Sequence, residues 1–443
     1  MLPTSLVIKN ARIVNEGTIT EGDLSISSNR IEKVGGVIDG TNEVDANGAW
    51  LIPGMIDDQV HFREPGLEHK GSIATESRAA IAGGITSYME MPNCDPLTIN
   101  AKNLVDKHRR AAKKSMANYA FYLGATNDNL EDIKSVDIKL ACGVKVFMGA
   151  STGNMLVDNP DSLEAIFANS PLLIATHCED TPTIESNQRK AEVQFGENIP
   201  ISHHPIIRSE DACFISSSLA VDLARRHNAR LHVLHLTTEK EMVHFESGPI
   251  KNKRVTAEAC VHHLYFNQES YEEKGAYIKC NPAIKTPKDQ AALIAAIQND
   301  TIDVIATDHA PHTQKEKTGT YTQTAAGLPL VQHALLSLME HVTDDVFSIE
   351  KIVHKTSHAP AELFQVQERG YIREGYWADL AIIDTKQSTI VNEEPIYAKC
   401  GWSPFSNTEF RSRITHTFVN GNLVYADGRI TSDLCGMPLE YTR

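Results

Sequence analysis

Five short apolar runs in this chain each carry, at or near the end, a side chain able to bind a metal or sit beside one. They are Met55-Ile56-Asp57-Asp58-Gln59-Val60-His61, Gly143-Val144-Lys145-Val146-Phe147, Leu172-Leu173-Ile174-Ala175-Thr176-His177, Leu231-His232-Val233-Leu234-His235 and Val304-Ile305-Ala306-Thr307-Asp308. His177 and His235 are neutral imidazole donors that suit Zn²⁺, and His61 is a third. Lys145 is the odd member, because an ammonium repels a cation. It becomes a ligand if its amine has added carbon dioxide to give a carbamate, an anion able to bridge two ions; the plainer alternative is a buried lysine paired with an acid. Asp308 adds a carboxylate that can touch both metal and substrate and move a proton during attack on a carbonyl. In a strand, positions 59 and 61 face the same side, so Gln59 points where a further ligand belongs, while Asp58 faces away. An amide oxygen is a weaker zinc donor than imidazole, so a site completed by His61 is expected to be weak or filled by water.

Short apolar runs that stop at ionisable residues read as buried parallel strands delivering side chains to the carboxyl edge of a sheet. Strand-like and helical runs alternate over roughly 300 residues, with helices expected at Ser72 to Ala82, Ser216 to His227, Gln290 to Ile297 and Val331 to Val342. No glycine-rich phosphate loop follows a strand. This favours a TIM-type (β/α)₈ barrel over an open doubly wound sheet, with the ligands converging at one mouth. Both ends of the chain read as short alternating strands, and Asn420-Gly421-Asn422 is a hairpin signal. The expected organisation is a β-sandwich built from residues 1–53 and 363–443 around a barrel of residues 54–362.

With 443 residues, 41% hydrophobic, the chain can bury a large core, and a formal net charge of -15 argues against nucleic-acid binding. Lys107-His108-Arg109-Arg110 with Lys113-Lys114 is read as the solvated end of a helix starting near Pro96. The eight cysteines (94, 142, 178, 213, 260, 280, 400 and 435) include no Cys-x-x-Cys pair and read as reduced, buried residues of a cytoplasmic protein. Neither a signal-peptide core nor a run of transmembrane length is evident. His203-His204 is expected in a solvated loop, His309 as support for the turn after Asp308, and His262-His263 as packing or support rather than ligands.

Further motifs resemble one family. Asp57-x-Gln59-Val60-His61-Phe62-Arg63-Glu64-Pro65-Gly66 is similar to the D-x-H-x-H-x-R-E-P-G signature of dihydroorotases in the amidohydrolase superfamily. Met91-Pro92-Asn93, Lys279-Cys280-Asn281-Pro282, Ala306-Thr307-Asp308-His309-Ala310-Pro311-His312 and Ser403-Pro404-Phe405 resemble that family in the same order. The resemblance implies one or two zinc ions and the reversible cyclisation of N-carbamoyl-L-aspartate to L-dihydroorotate in pyrimidine synthesis. By position, His177, His235 and a carbamylated Lys145 would hold one zinc; His61, Lys145 and Asp308 would hold the other. Arg63, Asn93 and His312 match the family's grip on the substrate carboxylate. Asn281 and the backbone around Ala326-Gly327 match contacts to the ring, and a homodimer is implied by the family alone. Two departures stand out: Gln59 replaces the first histidine, and Ala283-Ile284-Lys285 replaces a Pro-Leu-Arg run, which keeps a charge but loses the guanidinium fork. An allantoinase or hydantoinase is the nearest alternative, and a catalytically silent structural partner is another, supported only by Gln59. Thr152 to Asn159 and Gln314 to Thr324 are candidate lids.

Overall fold

In the computed structural model, which describes residues 6–149, 155–432 and 436–443, eight parallel strands form a barrel. They are β1 (Met55–Val60), β2 (Ile85–Glu90), β3 (Asn118–Gly124), β4 (Ala141–Phe147), β5 (Ile174–His177), β6 (Leu231–Val233), β7 (Val255–Cys260) and β8 (Val304–Ala306), each bonded to the next in chain order. The ring closes where β8 meets β1: the His61 amide donates to His309 O at 2.7 Å, and the Thr307 hydroxyl to the Asp57 carboxylate at 2.6 Å. Alternate strand residues such as Ile56, Met89, Ala120, Leu173 and Ala175 form one apolar cluster with Phe364 and Leu439. The opposite faces pack on the surrounding helices, the two-sided burial a parallel strand requires.

The helices start and stop where local chemistry directs. Ser72 accepts from the Thr75 amide to cap Ile73–Ala82, which runs into Gly83. The helix expected from Pro96 begins instead at Ala101, because Asn100 caps it by accepting from the Asn103 amide. Its basic end is not wholly solvated: Lys107 is buried 3.0 Å from Glu90, and Arg110 and Lys114 reach the buried carboxylate of Glu64. Those two acids lie inside the fold and need cations, which overrides the surface reading of the cluster. The helices foreseen before β6, before β8 and after it span Glu210–His227, Pro287–Gln298 and Ala334–Thr343.

Strands from both chain ends hydrogen-bond into a single nine-stranded sheet. Trp50–Pro53 is the seam, parallel to Leu6–Asn15 on one side and antiparallel to Leu380–Asp384 on the other. Both chain ends thus build one β domain, as expected, over a core including Ile8, Leu24, Leu51, Leu380 and Phe418. Asn420 (φ 49°) and Gly421 (φ 74°) both take the left-handed backbone that a tight hairpin needs. Of the cysteines, Cys94, Cys142, Cys178, Cys213, Cys260 and Cys280 are buried and free, Cys400 is free and half-buried, and Cys435 lies outside the described residues. No helix among the described residues is long and apolar enough to cross a membrane.

Candidate active site

A cavity of about 410 Å³ is lined by Gln59, His61, Arg63, Asn93, Lys145, His177, His235, Asn281, Asp308, His312, Ala326 and Gly327. The fold thus gathers every residue singled out in the sequence around one space at the strand ends. Three of them leave their strands with left-handed backbone: Arg63 (φ 72°), His235 (φ 39°) and Asp308 (φ 50°). Such conformations are uncommon for side-chain-bearing residues and concentrate at functional sites.

His177 Nδ1 and His235 Nε2 lie 2.9 Å apart, and His177 Nε2 is 2.9 Å from Glu179 Oε2. Because a carboxylate only accepts, Glu179 fixes the proton on Nε2 and leaves the His177 Nδ1 lone pair facing His235. Arg208 in turn bonds Glu179. Burial raises the Glu179 pKa, but Arg208 and His177 more than offset it and hold the value near about 2. Two nitrogens this close can share an ion at about 2.0–2.1 Å from each. Among the described residues, no third imidazole, thiol or carboxylate completes a cluster with this pair within 4.8 Å. Lys145 remains in the same wall, fully buried and, among the described residues, without a carboxylate in ion-pair contact, its Nζ 4.6 Å from the Phe147 ring centroid. Burial lowers its pKa to about 8, with Asp308 and Glu258 opposing the fall, which favours the neutral amine that can add carbon dioxide. The donor set on this side fits a divalent metal ion.

On the other side, His61 Nε2 and Gln59 Nε2 each lie 3.1 Å from Asp308 Oδ1. His61 Nδ1 is 2.7 Å from Asn93 Oδ1, so Asn93 is committed to orienting His61. Burial raises the Asp308 pKa, yet the His61 contact holds it below the usual carboxylate range.

The remaining wall is cationic. Arg63 is buried and, among the described residues, pairs with no carboxylate; it donates through Nε to Pro311 O at 3.2 Å and faces His312 Nε2 at 3.2 Å. Lys70 Nζ lies 3.1 Å from His312 Nδ1 and is paired with Glu316 at 2.9 Å. Burial, then Arg63 and Lys70, keep His312 neutral. Trp402 donates from its indole to His312 O at 2.7 Å, which explains why a segment near the C-terminus belongs with the motifs. Asn281 Oδ1 is buried with no hydrogen-bond partner. Gly327 (φ 142°) lets the backbone come close: an added Cβ would sit 2.5 Å from Ala310 O and 2.9 Å from His312 Cδ2. The backbone here is already engaged, since Ala326 O faces His312 Nε2, Gly327 N donates to Lys279 O, and Lys317 Nζ donates to Ala325 O and Gly327 O.

Sequence reasoning missed Lys70, Glu179 and Trp402. Glu179 had a signal, two residues beyond a strand-end histidine, whereas Lys70 looked like any loop lysine. His204, expected in a solvated loop, is buried between the Tyr321 hydroxyl (2.9 Å) and Cys280 O (2.7 Å). His309 bridges Glu76 (2.8 Å) and the Leu330 amide (2.9 Å), holding the turn after Asp308. His262 and His263 are buried beside Cys260, with His263 Nε2 3.1 Å from Pro282 O. Asp58 lies away from the cavity, 3.2 Å from His232, which also approaches Glu258. Thr152, Gly153 and Asn154 of one candidate lid lie outside the described residues.

Comparison with known proteins gives the class. The profile described as the Amidohydrolase family matches residues 50–424. The chain belongs to that family. It is 30% identical over 431 residues to an allantoinase of Bacillus velezensis, covering 96% of this chain and 94% of that one. It is also 30% identical over 432 residues to a dihydroorotase of Lactobacillus acidophilus, covering 95% and 99%. Among solved structures it resembles the L-hydantoinase of Arthrobacter aurescens, with a TM-score of 0.91 at 23% identity over 99% of this chain and 100% of the other, a likeness of fold.

Proposed function

We propose that this amidohydrolase is a zinc-dependent dihydroorotase, interconverting N-carbamoyl-L-aspartate and L-dihydroorotate. The observation that carries the choice is the buried Arg63 guanidinium, which has no carboxylate partner among the described residues and stands beside Lys70 and His312. A desolvated guanidinium fork is built for a carboxylate. Dihydroorotate and carbamoyl-aspartate carry one, and allantoin and hydantoin do not. Asn281 Oδ1, buried and unpartnered, suits a ring N–H.

A divalent ion held by His177, His235 and a carboxylated Lys145 would polarise the ring carbonyl and bring the pKa of a water toward about 7. The chain's own residues do the rest. Arg63 and Lys70 hold the carboxylate end, and Asn281 accepts from the ring nitrogen. Asp308, ionised by virtue of its lowered pKa, takes a proton at its carboxylate and returns it to the departing amide nitrogen. A cytoplasmic homodimer is the expected setting. The family likeness to an allantoinase keeps a cyclic-ureide substrate as the second reading. Parallel assays of the zinc-loaded protein with dihydroorotate, allantoin and hydantoin decide between them: preference for dihydroorotate supports the proposal, and equal or better turnover of either other substrate overturns it.

A further inference from the structure

Asp308 Oδ1 is the carboxylate oxygen that faces His61, where a second ion shared with that imidazole would be expected. That oxygen is already approached by His61 Nε2 and by the amide nitrogen of Gln59, each at 3.1 Å. The Gln59 carbonyl oxygen points elsewhere, within 3.8 Å of the Cys260 sulfur. The same sulfur lies closer to Glu258 Oε1, at 3.5 Å. A cation placed between His61 and Asp308 would therefore meet the positive end of the Gln59 N–H bond at that oxygen, with a single imidazole, His61, as its nitrogen donor. With the amide reversed it would gain only a weak oxygen donor and would break the thiol contact. Gln59 is itself buried, in the wall of the cavity. The two halves of the mouth thus differ: the His177/His235 side presents two facing imidazoles, and the His61 side presents one imidazole and an amide N–H bonded to the carboxylate.

We infer that this chain holds a single metal ion, on the Lys145–His177–His235 side, and that the Gln59 amide takes the second ion's place by holding Asp308. Gln59 is a positioning residue: it fixes the orientation of the Asp308 carboxylate without meeting substrate. This rests on the metal-dependent reading above and concerns the number and location of ions, not the substrate.

The test counts metal in the full-length protein loaded with zinc in bicarbonate buffer and freed of loosely held ions. The wild type should retain about one equivalent per chain, and Gln59→His, which supplies an imidazole in place of the amide, about two. His177→Ala should lose the ion, whereas His61→Ala should keep it. The inference is overturned if the wild type holds two ions, if folded Gln59→His stays at one, or if the single ion departs with His61 rather than His177. Should Gln59→His not fold, the two alanine variants still decide the ion's location. Because metal is read directly, a failure to turn over dihydroorotate would sink the functional reading and leave this count intact.

Discussion

Replacing Arg63 by Met separates substrate recognition from architecture. Burial lowers the Arg63 pKa from 12.5 to about 10, a difference equivalent to about 3.5 kcal/mol at about 1.4 kcal/mol per tenfold change in the protonation equilibrium. The sign follows from the charge. A cation whose pKa is depressed in the folded state destabilises that state wherever the unfolded chain is protonated, so the penalty is present in full at neutral pH and fades only above about pH 10. A substrate carboxylate docking on the guanidinium relieves it, and about 3.5 kcal/mol corresponds to at most roughly 300-fold in affinity or rate. Arg63→Met should thus lower kcat/KM for dihydroorotate by up to roughly 300-fold and for hydantoin by less than about threefold, since hydantoin offers no carboxylate. Removing the charge also sacrifices contacts to Pro311 O and His312, at about 1 kcal/mol each, so thermal stability should be unchanged or slightly higher. Steady-state kinetics on both substrates with a melting curve measure all three quantities. Equal losses on the two substrates, or a marked fall in Tm, would refute the reasoning by showing that Arg63 holds the loop and not the ligand.

The other expectations concern the opposite walls. Asp308→Ala should abolish turnover in both directions while metal analysis finds the ion largely retained; residual activity above about one per cent of wild type would remove its proton-transfer role. Glu179→Gln should weaken metal binding by about 10–100-fold in chelator competition, because the amide no longer fixes the His177 proton on Nε2 and leaves Arg208 without its carboxylate. Gly327→Ala should raise KM and cost about 1–3 kcal/mol in denaturant unfolding, since its Cβ would collide with Ala310 O and His312.

The barrel and its ligands were legible because parallel strands are short, apolar and end at their working residues, so His61, His177, His235 and Asp308 announce themselves by where an apolar run stops. Lys145 was legible for the opposite reason: a charged side chain inside an apolar run has no bland explanation unless an acid meets it, and among the described residues none does so in ion-pair contact. What failed was whatever depended on long-range partners. Lys107 reads as surface until Glu90 is seen behind it, and His204 reads as a loop residue until Tyr321 and Cys280 close over it. The helix expected from Pro96 slid to Ala101 because the capping side chain of Asn100, not the proline, decides where amides begin to pair.

The same asymmetry explains how the mouth is divided. Strand ends supply groups whose positions are fixed by the barrel's hydrogen bonding, which is what metal binding demands. The recognition wall comes from segments between and beyond the strands, and these need separate anchoring. Lys317 gives it to the 313–327 segment by donating to the carbonyls of Lys279, Ala325 and Gly327, and Lys279 adds bonds to Tyr321 O and Thr324 O. Trp402 pins His312 from the far end of the chain. A loop tied by two buried ammonium groups and an indole can be rebuilt for another ring without disturbing the strand-end ligands. On the function proposed above, Arg63 and its neighbours, rather than the residues proposed as metal ligands, set the choice among dihydroorotate, allantoin and hydantoin.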